Sequence, residues 1–325
     1  MSAIRKFFSL FTVSALVGFV LLTSLAACSP SGRIDNDGTS AQPGAAMRLK
    51  VIATTSIVGD VVYQVGGDKI DLEILLPLGA DPHGFEPSPR DIAKIADADL
   101  VFANGAGLEE FLQPLIQNAG GDARLFEVSE GVELLEGHAG EEHQDEEEHA
   151  YDPHVWMDPN NVIAWTHNIE KALSENDPQN AAFYAENGTS YREQLQQLDA
   201  WVREQVALVP PNQRELVVDH LAYTYFARQY GFQQAAAIIS SFSTLAEPSA
   251  QELAQLEQTI QDLEVGAIFV GNSVNPALAE RIAADTGTRL VRLYSGSLSE
   301  PGGEADTYLK YVQYNVRAIV TALKN

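Results

Sequence analysis

The chain has 325 residues, of which 45% are hydrophobic and 20% charged, and its formal net charge is −25 at pH 7. So strong an excess of acid argues against nucleic acid and anionic lipid headgroups as partners, because both are negatively charged. The only cysteine is Cys28, which excludes a disulfide framework and a thiolate metal site within the chain. Any metal would therefore have to be bound by histidine and carboxylate.

The N-terminus has the pattern of an export signal. Two basic residues precede a long apolar stretch that ends in Leu25-Ala26-Ala27-Cys28. This ending resembles the signal of a bacterial lipoprotein, in which the cysteine is lipidated and becomes the first residue of the mature chain. We expect residues 1–27 to be removed, Cys28 to carry lipid and residues 28–47 to form a flexible tether. The alternative is an N-terminal transmembrane anchor, because the apolar stretch has about the length of a span.

Both alternatives place the folded part outside the cytoplasm, held at the outer face of the cytoplasmic membrane. From residue 48 the chain alternates strand-like and helix-like segments, which predicts βαβ units with a parallel sheet covered by helices. The predicted strands are Leu49–Ala53, Leu72–Leu76 and Leu100–Ala103, and the predicted helices are Ile57–Val65, Pro89–Ala96 and Leu108–Asn118. We assign residues 48–177 to an N-terminal α/β lobe.

Residues 178–209 predict one long helix. Apolar residues recur there at helical spacing, and Pro210-Pro211 ends the pattern; they are Phe183, Tyr184, Tyr191, Leu195, Leu198, Val202 and Val206. At 1.5 Å per residue the helix would be about 45 Å long, enough to run the length of a two-lobed protein.

The alternation resumes in residues 210–325, which predicts a second α/β lobe. Its predicted strands are Leu216–Val218, Ala235–Ile239, Gly266–Val270 and Arg289–Tyr294, and its predicted helices are Leu221–Tyr230, Ser249–Leu263, Pro276–Thr286 and Ala305–Leu323. The predicted fold class is therefore α/β, with two lobes of parallel β-sheets flanked by helices and joined by one long rigid helix.

Three histidines stand at the ends of separate predicted elements. The tripeptide Asp-Pro-His occurs twice, ending in His83 and in His154, and His220 follows an apolar run that predicts a buried strand. Only the fold can bring such residues together, and neutral imidazole suits zinc, copper, iron and nickel. For each residue alone a structural role stays open: His83 in a surface loop, His154 in the core and His220 as a helix cap. His167 is expected to lie at the surface of a helix.

Neighbouring residues would prepare these histidines for metal. Asp81 or Glu86 is expected to hold the second ring nitrogen of His83, which fixes the tautomer of a ligand. His154 is expected to be half-buried beside an aromatic side chain. His220 is expected to open the following helix, whose N-terminus favours a neutral imidazole.

Taken in order, these segments resemble a known family. Segments 81–89, 152–159 and 220–231, with Glu247-Pro248-Ser249 and the stretch 308–315, resemble blocks of the zinc/manganese-binding lipoproteins that feed bacterial ABC importers. The resemblance implies a metal held between two α/β lobes, by His83 and His154 from the first and His220 from the second. It also implies limited hinge motion, delivery of the ion to a membrane permease, and no enzymatic activity. Nothing in the sequence indicates oligomerisation, and we expect a monomer.

One feature of that family is missing here. Its members commonly carry an aspartate near the C-terminus, where this chain has Gly296. Water or a nearby glutamate would then complete the tetrahedron. Zinc accepts imidazoles and four ligands, whereas manganese prefers carboxylate oxygen and a higher coordination number, so the three histidines favour Zn²⁺ over Mn²⁺.

The acidic stretch 137–150 carries His138, His143 and His149, and it is predicted to form a solvated loop. Such a loop either recruits zinc loosely or has no role in binding. Two other classes of protein stay open. A zinc hydrolase also uses three histidines and an open position, although no His-Glu-x-x-His motif is present. In a structural surface lipoprotein or adhesin, metal would only stabilise the fold.

Overall fold

In the computed structural model the described residues are 48–120, 123–136 and 151–324. The predicted signal peptide, Cys28, the tether and the acidic stretch 137–150 lie outside them. No helix in the described ranges is both long enough and apolar enough to cross a membrane.

The first lobe contains a four-stranded parallel sheet with the spatial order β2-β1-β3-β4. Both central strands, β1 and β3, are largely apolar and buried, as expected when helices cover both faces of a parallel sheet. The strands are β1 (Leu49–Ala53), β2 (Ile70–Ile74), β3 (Leu100–Ala103) and β4 (Arg124–Glu127), and the helices between them are α1 (Ser56–Gly66), α2 (Pro89–Asp97) and α3 (Leu112–Ala119).

The second lobe repeats this order with a parallel sheet β6-β5-β7-β8. Its strands are β5 (Glu215–His220), β6 (Gln233–Ile239), β7 (Ala267–Val270) and β8 (Arg289–Arg292), and its helices are α6 (Thr224–Tyr230), α7 (Ala250–Asp262) and α8 (Ala277–Thr286). In each sheet the strand order reverses beside the first strand of the lobe. Ligands of open α/β sheets bind beyond the carboxyl ends of the strands at such a switch point.

Three further helices, α4 (Pro159–Asn176), α5 (Ala181–Val206) and α9 (Tyr308–Leu323), pack together, with α5 in contact with both α4 and α9. The 26 residues of α5 extend over about 39 Å. One continuous hydrophobic cluster contains side chains of both sheets and of these helices. The long helix is therefore packed on the shared core along its length.

The predicted fold class is confirmed, and most differences lie at element ends. Strands β1 and β3 have the predicted bounds. Strand β2 begins and ends two residues early, although the N–H groups of Leu75 and Leu76 still donate to Ala53 O and Thr54 O, at the end of β1 and just after it. Helix α3 begins four residues late, because Glu109 turns back towards the end of β3. Strand β4 was not predicted. The boundaries of the lobes and the linker stay a prediction.

Candidate metal centre

The fold brings the three predicted histidines together where the two sheets' carboxyl ends face each other. His220 is the last residue of β5, His83 lies in the loop between β2 and α2, and His154 precedes a 3₁₀ turn, Val155–Met157. One ring nitrogen of each lies within 4.8 Å of the others. Nε2 of His154 is 3.2 Å from Nε2 of His83 and 3.2 Å from Nε2 of His220.

These separations suit one small ion. With zinc–nitrogen bonds of about 2.0–2.1 Å and tetrahedral angles, two ligand nitrogens lie about 3.3 Å apart. The two Nε2 separations at His154 are close to that value. Three imidazoles that converge through Nε2 can therefore bind one ion with little rearrangement.

Two of the rings are oriented by buried carboxylates. Asp152 Oδ1 accepts hydrogen bonds from the backbone N–H of His154, at 2.9 Å, and from its Nδ1, at 2.8 Å. Asp219 Oδ1 does the same for His220, at 2.8 Å and 2.9 Å. A proton held on Nδ1 leaves the lone pair of Nε2 free for metal, which is the arrangement of carboxylate–histidine–zinc sites.

Burial and charge act against each other at these groups. Burial lowers the pKa of His220, but the charges of Asp219, Asp81 and Asp152 and the hydrogen bond to Asp219 outweigh it, so the pKa lies above its ordinary value. Burial raises the pKa of Asp219, but His220 and the Gly271 N–H hold it below its ordinary value. Burial raises the pKa of Asp152 to about 7. Protons therefore compete for this site near neutral pH.

The expectation that His220 opens a helix is wrong. Strand pairing continues past the histidine, since the N–H of Leu221 donates to Ser241 O at 3.0 Å, and α6 begins only at Thr224. The neighbouring Asp219, rather than a helix dipole, sets the protonation of His220. His154 is fully buried instead of half-buried, and it has the expected aromatic neighbour in Trp156, with ring centroids 5.2 Å apart.

Asp81 holds the loop that carries His83. Its Oδ1 accepts from the backbone N–H of His83 at 3.0 Å, and its Oδ2 accepts from the hydroxyl of Thr244 in the second lobe. The expected role of Asp81 or Glu86 at the ring nitrogen stays a prediction. His167 is exposed on α4, as expected.

A hydrogen-bonded cluster fixes the segment after His154 to the second lobe. The indole N–H of Trp156 faces Ser295 O and the hydroxyl of Tyr311, each at 3.2 Å. Tyr311 donates to Ser295 O at 2.9 Å, and Tyr308 donates to Trp156 O at 2.7 Å. Sequence analysis missed this cluster, because its members are far apart in the chain.

A second missed network supports the same segment from the first lobe. The side-chain amide of Asn104 donates to Pro153 O at 3.0 Å. Buried Glu109 accepts from the backbone N–H groups of Asn104 and Gly105, at 2.8 and 3.1 Å, and from the hydroxyl of Thr54 at 2.6 Å. Burial raises the pKa of Glu109 to about 7 despite these bonds. A glutamate shortly after the sequence Gly-Ala-Gly is the only local signal of this turn.

Gly296 lines the cavity of the three histidines, together with Pro82, Ser273 and Ser295. A β-carbon at position 296 would lie 2.8 Å from Cδ of Pro82 and 2.9 Å from the hydroxyl oxygen of Ser273. The loop of His83 therefore packs against the glycine, in the space that a larger residue would need.

A two-lobed α/β fold with imidazoles from both lobes between its sheets defines the class of metal-binding receptors of ABC importers. The chain belongs to the family described as zinc-uptake complex component A, periplasmic, whose sequence model matches residues 51–322.

Similar proteins include the manganese-binding lipoprotein MntA of Halalkalibacterium halodurans, 32% identical over 85% of this chain and 88% of that protein. The manganese ABC transporter substrate-binding lipoprotein PsaA of Streptococcus pneumoniae is 33% identical over 95% of this chain and 97% of its own. Among solved structures, the periplasmic zinc-binding protein TroA of Treponema pallidum superposes with a TM-score of 0.77 at 26% identity, covering 86% of this chain and all of TroA. The relatives thus include proteins named for zinc and for manganese.

Proposed function

We propose that the protein is an extracytoplasmic receptor that binds one divalent transition-metal ion and delivers it to the membrane permease of an ABC importer. The ligands are His83, His154 and His220. The observation that supports this assignment is the convergence of three Nε2 atoms, two of them oriented by buried carboxylates. Lipid on Cys28 would hold the monomeric receptor at the outer face of the cytoplasmic membrane.

Zinc is the proposed cargo, with manganese as the alternative that several relatives' names favour. Within the described ranges the group able to hold an ion consists of imidazoles alone. Two buried carboxylates, Asp152 and Asp219, each bind the far nitrogen of a histidine and so act outside the coordination sphere. The carboxylate of Asp81 lines the cavity, but it accepts from the His83 backbone N–H and from the hydroxyl of Thr244. An all-nitrogen site suits zinc better than manganese, which prefers oxygen ligands.

The fourth position is proposed to hold water. No glutamate is among the described residues that line the cavity, whereas the hydroxyls of Ser273 and Ser295 are, 3.2 Å apart. Hydroxyl groups can orient a metal-bound water by donating to it or accepting from it.

The hydrogen bonds of the carboxylates around the site argue against a zinc hydrolase. Metal-assisted hydrolysis needs a base near the bound water. Asp152 and Asp219 are bonded to imidazoles, and Asp81 accepts from the His83 backbone and from Thr244. None of the three is placed as a free base, which supports a carrier rather than an enzyme.

The test is a competition titration of the chelator-stripped protein, without signal peptide and lipid, against zinc and manganese. We expect one equivalent of zinc with a Kd on the order of nanomolar or below, and manganese at least about 100-fold weaker. Equal or tighter manganese binding would refute the zinc assignment and leave the carrier proposal standing. Failure to bind either ion would refute both.

Gly296→Ala is expected to weaken zinc binding about tenfold, which corresponds to about 1.4 kcal/mol, the low end of overpacking costs. The added methyl group overlaps the ring of Pro82 and pushes the adjoining His83 away from the other two ligands. Gly266→Ala is the matched control, because the nearest atom to a β-carbon there is 3.9 Å away. Isothermal titration of both variants checks the prediction, and unchanged affinity of Gly296→Ala would contradict it.

A further inference from the structure

The three proposed ligands are held unequally. The side chains of His154 and His220 are only 2% and 3% exposed, whereas His83 is partly exposed. Both buried rings have a buried carboxylate at Nδ1. His154 and His220 therefore form a fixed pair, and the solvent side of the site is closed by His83.

The fixed pair is also secured between the lobes. The carbonyl of Trp156, two residues after His154, accepts from Tyr308, and its indole N–H is bonded within a buried cluster of the second lobe. Pulling the lobes apart would break these buried hydrogen bonds, and an unpaired buried polar group costs about 1–3 kcal/mol. Metal exchange by wide separation of the lobes is therefore unfavourable.

The loop of His83 is fastened to the second lobe at its outer side. The hydroxyl of Thr244 donates to Asp81 Oδ2, and Oδ1 of the same carboxylate accepts from the backbone N–H of His83. The next residue, Leu245, lies over Gly84, since a β-carbon on that glycine would be 3.3 Å from the leucine Cδ2. Leu245 is itself 66% exposed. Thr244 and Leu245 thus cover the loop from the solvent side.

On the basis of the proposed receptor function, we infer that Thr244 is a positioning residue that acts through Asp81 to hold His83 over the bound ion. It thereby sets the rate at which the ion leaves. Release begins when the Thr244–Asp81 hydrogen bond opens and the loop of His83 moves away, while His154 and His220 keep their places. The inner end of the loop stays tied by the Gly79 N–H, which donates to Ser297 at 2.8 Å.

Thr244→Val removes the hydroxyl at nearly constant volume, and Thr244→Ser restores a hydroxyl in the same place. Zinc-loaded proteins are mixed with excess chromophoric chelator, and the rate that no longer depends on chelator concentration is the dissociation rate. We expect about tenfold faster release from Thr244→Val, because a hydrogen bond to a charged acceptor is among the stronger ones. Thr244→Ser should stay within about twofold of wild type, and the association rate should be unchanged in both variants.

Thr259→Val separates this role from general destabilisation, and Leu245→Ala tests the cover over the loop. Thr259→Val removes a hydroxyl from exposed α7, where it donates to Gln255 O, and should release zinc at the wild-type rate. Leu245→Ala removes the cover over Gly84 and should accelerate release less than Thr244→Val does, because the leucine is itself 66% exposed.

Wild-type release from Thr244→Val would overturn the inference, and so would fast release from Thr244→Ser. A fall in the melting temperature of apo Thr244→Val, with slower zinc association, would indicate a merely structural threonine and would also overturn it. If the wild-type protein binds no zinc, the proposed function fails and the inference with it. If wild type binds and Thr244→Val does not differ from it, only the inference fails.

Discussion

Replacing any one of His83, His154 and His220 by alanine is expected to weaken zinc binding by more than about 100-fold. Losing an outer-shell partner of a ligand typically costs 10- to 100-fold in metal affinity, and losing the ligand itself must cost more. Two remaining imidazoles leave half of the tetrahedron to water. Competition titration against a chromophoric chelator of known affinity measures the loss.

Of the three variants, His83→Ala is the one expected to change metal affinity with the smallest change in the stability of the apo protein. His220→Ala also leaves Asp219 buried without its imidazole, so the apo protein loses stability together with the ligand. His83 is partly exposed, so its removal is expected to disturb the fold least. His167→Ala is the matched control, since it removes an exposed imidazole of α4. Wild-type affinity of His83→Ala would show that the ion is bound without this residue.

The sequence predicts the strands and helices correctly where the local pattern and the tertiary structure favour the same conformation. Strands β1 and β3 are apolar runs rich in residues that favour strands, and their predicted ends are correct. Strand β4 is a four-residue edge strand whose side chains are only partly buried or exposed, so its pairing with β3 leaves little trace in the sequence. Helix α3 starts late because Glu109 binds backbone N–H groups at the end of β3, and helical periodicity does not encode that competition.

The metal site likewise has features that the local sequence indicates and features that only the tertiary structure shows. The three histidines were predicted, and the adjacent aspartates that orient two of them lie within two residues along the chain, so local sequence could have indicated them. The contacts that close the site join residues that are more than 130 positions apart. Trp156 meets Ser295, and Thr244 meets Asp81. Only the packing of two lobes on one core brings such residues together, and a single sequence does not show it.

Asp219→Asn is expected to weaken zinc binding about 10- to 100-fold at pH 8, and to make that affinity less sensitive to acid. The variant loses the carboxylate that orients the imidazole of His220. In the wild type the same carboxylate raises the pKa of His220 above its ordinary value of 6.5. Acid therefore displaces zinc from wild type at a higher pH than from Asp219→Asn, because metal and proton compete for the neutral ring.

The difference in affinity between wild type and Asp219→Asn should therefore narrow as the pH falls from 8 towards 6. The difference in the free energy of unfolding between the two apo proteins should instead widen over this pH range. The raised pKa of His220 adds stability that is present below pH 6.5 and is lost as the pH rises through the folded-state pKa. The lowered pKa of Asp219 adds stability that is present above its ordinary value of 3.8 and is lost as the pH falls through the folded-state pKa.

Urea unfolding of the apo proteins should thus show the largest loss for Asp219→Asn between about pH 4 and 6.5, where the carboxylate is ionised and the imidazole protonated. Asp262→Asn, at an exposed position of α7, is the control for removing one negative charge. Parallel affinity curves for wild type and Asp219→Asn from pH 8 to 6 would contradict the mechanism, because Asp219 would then orient His220 without tuning its proton. Converging curves would mean that one carboxylate both prepares the ring for metal and lets acid release the ion.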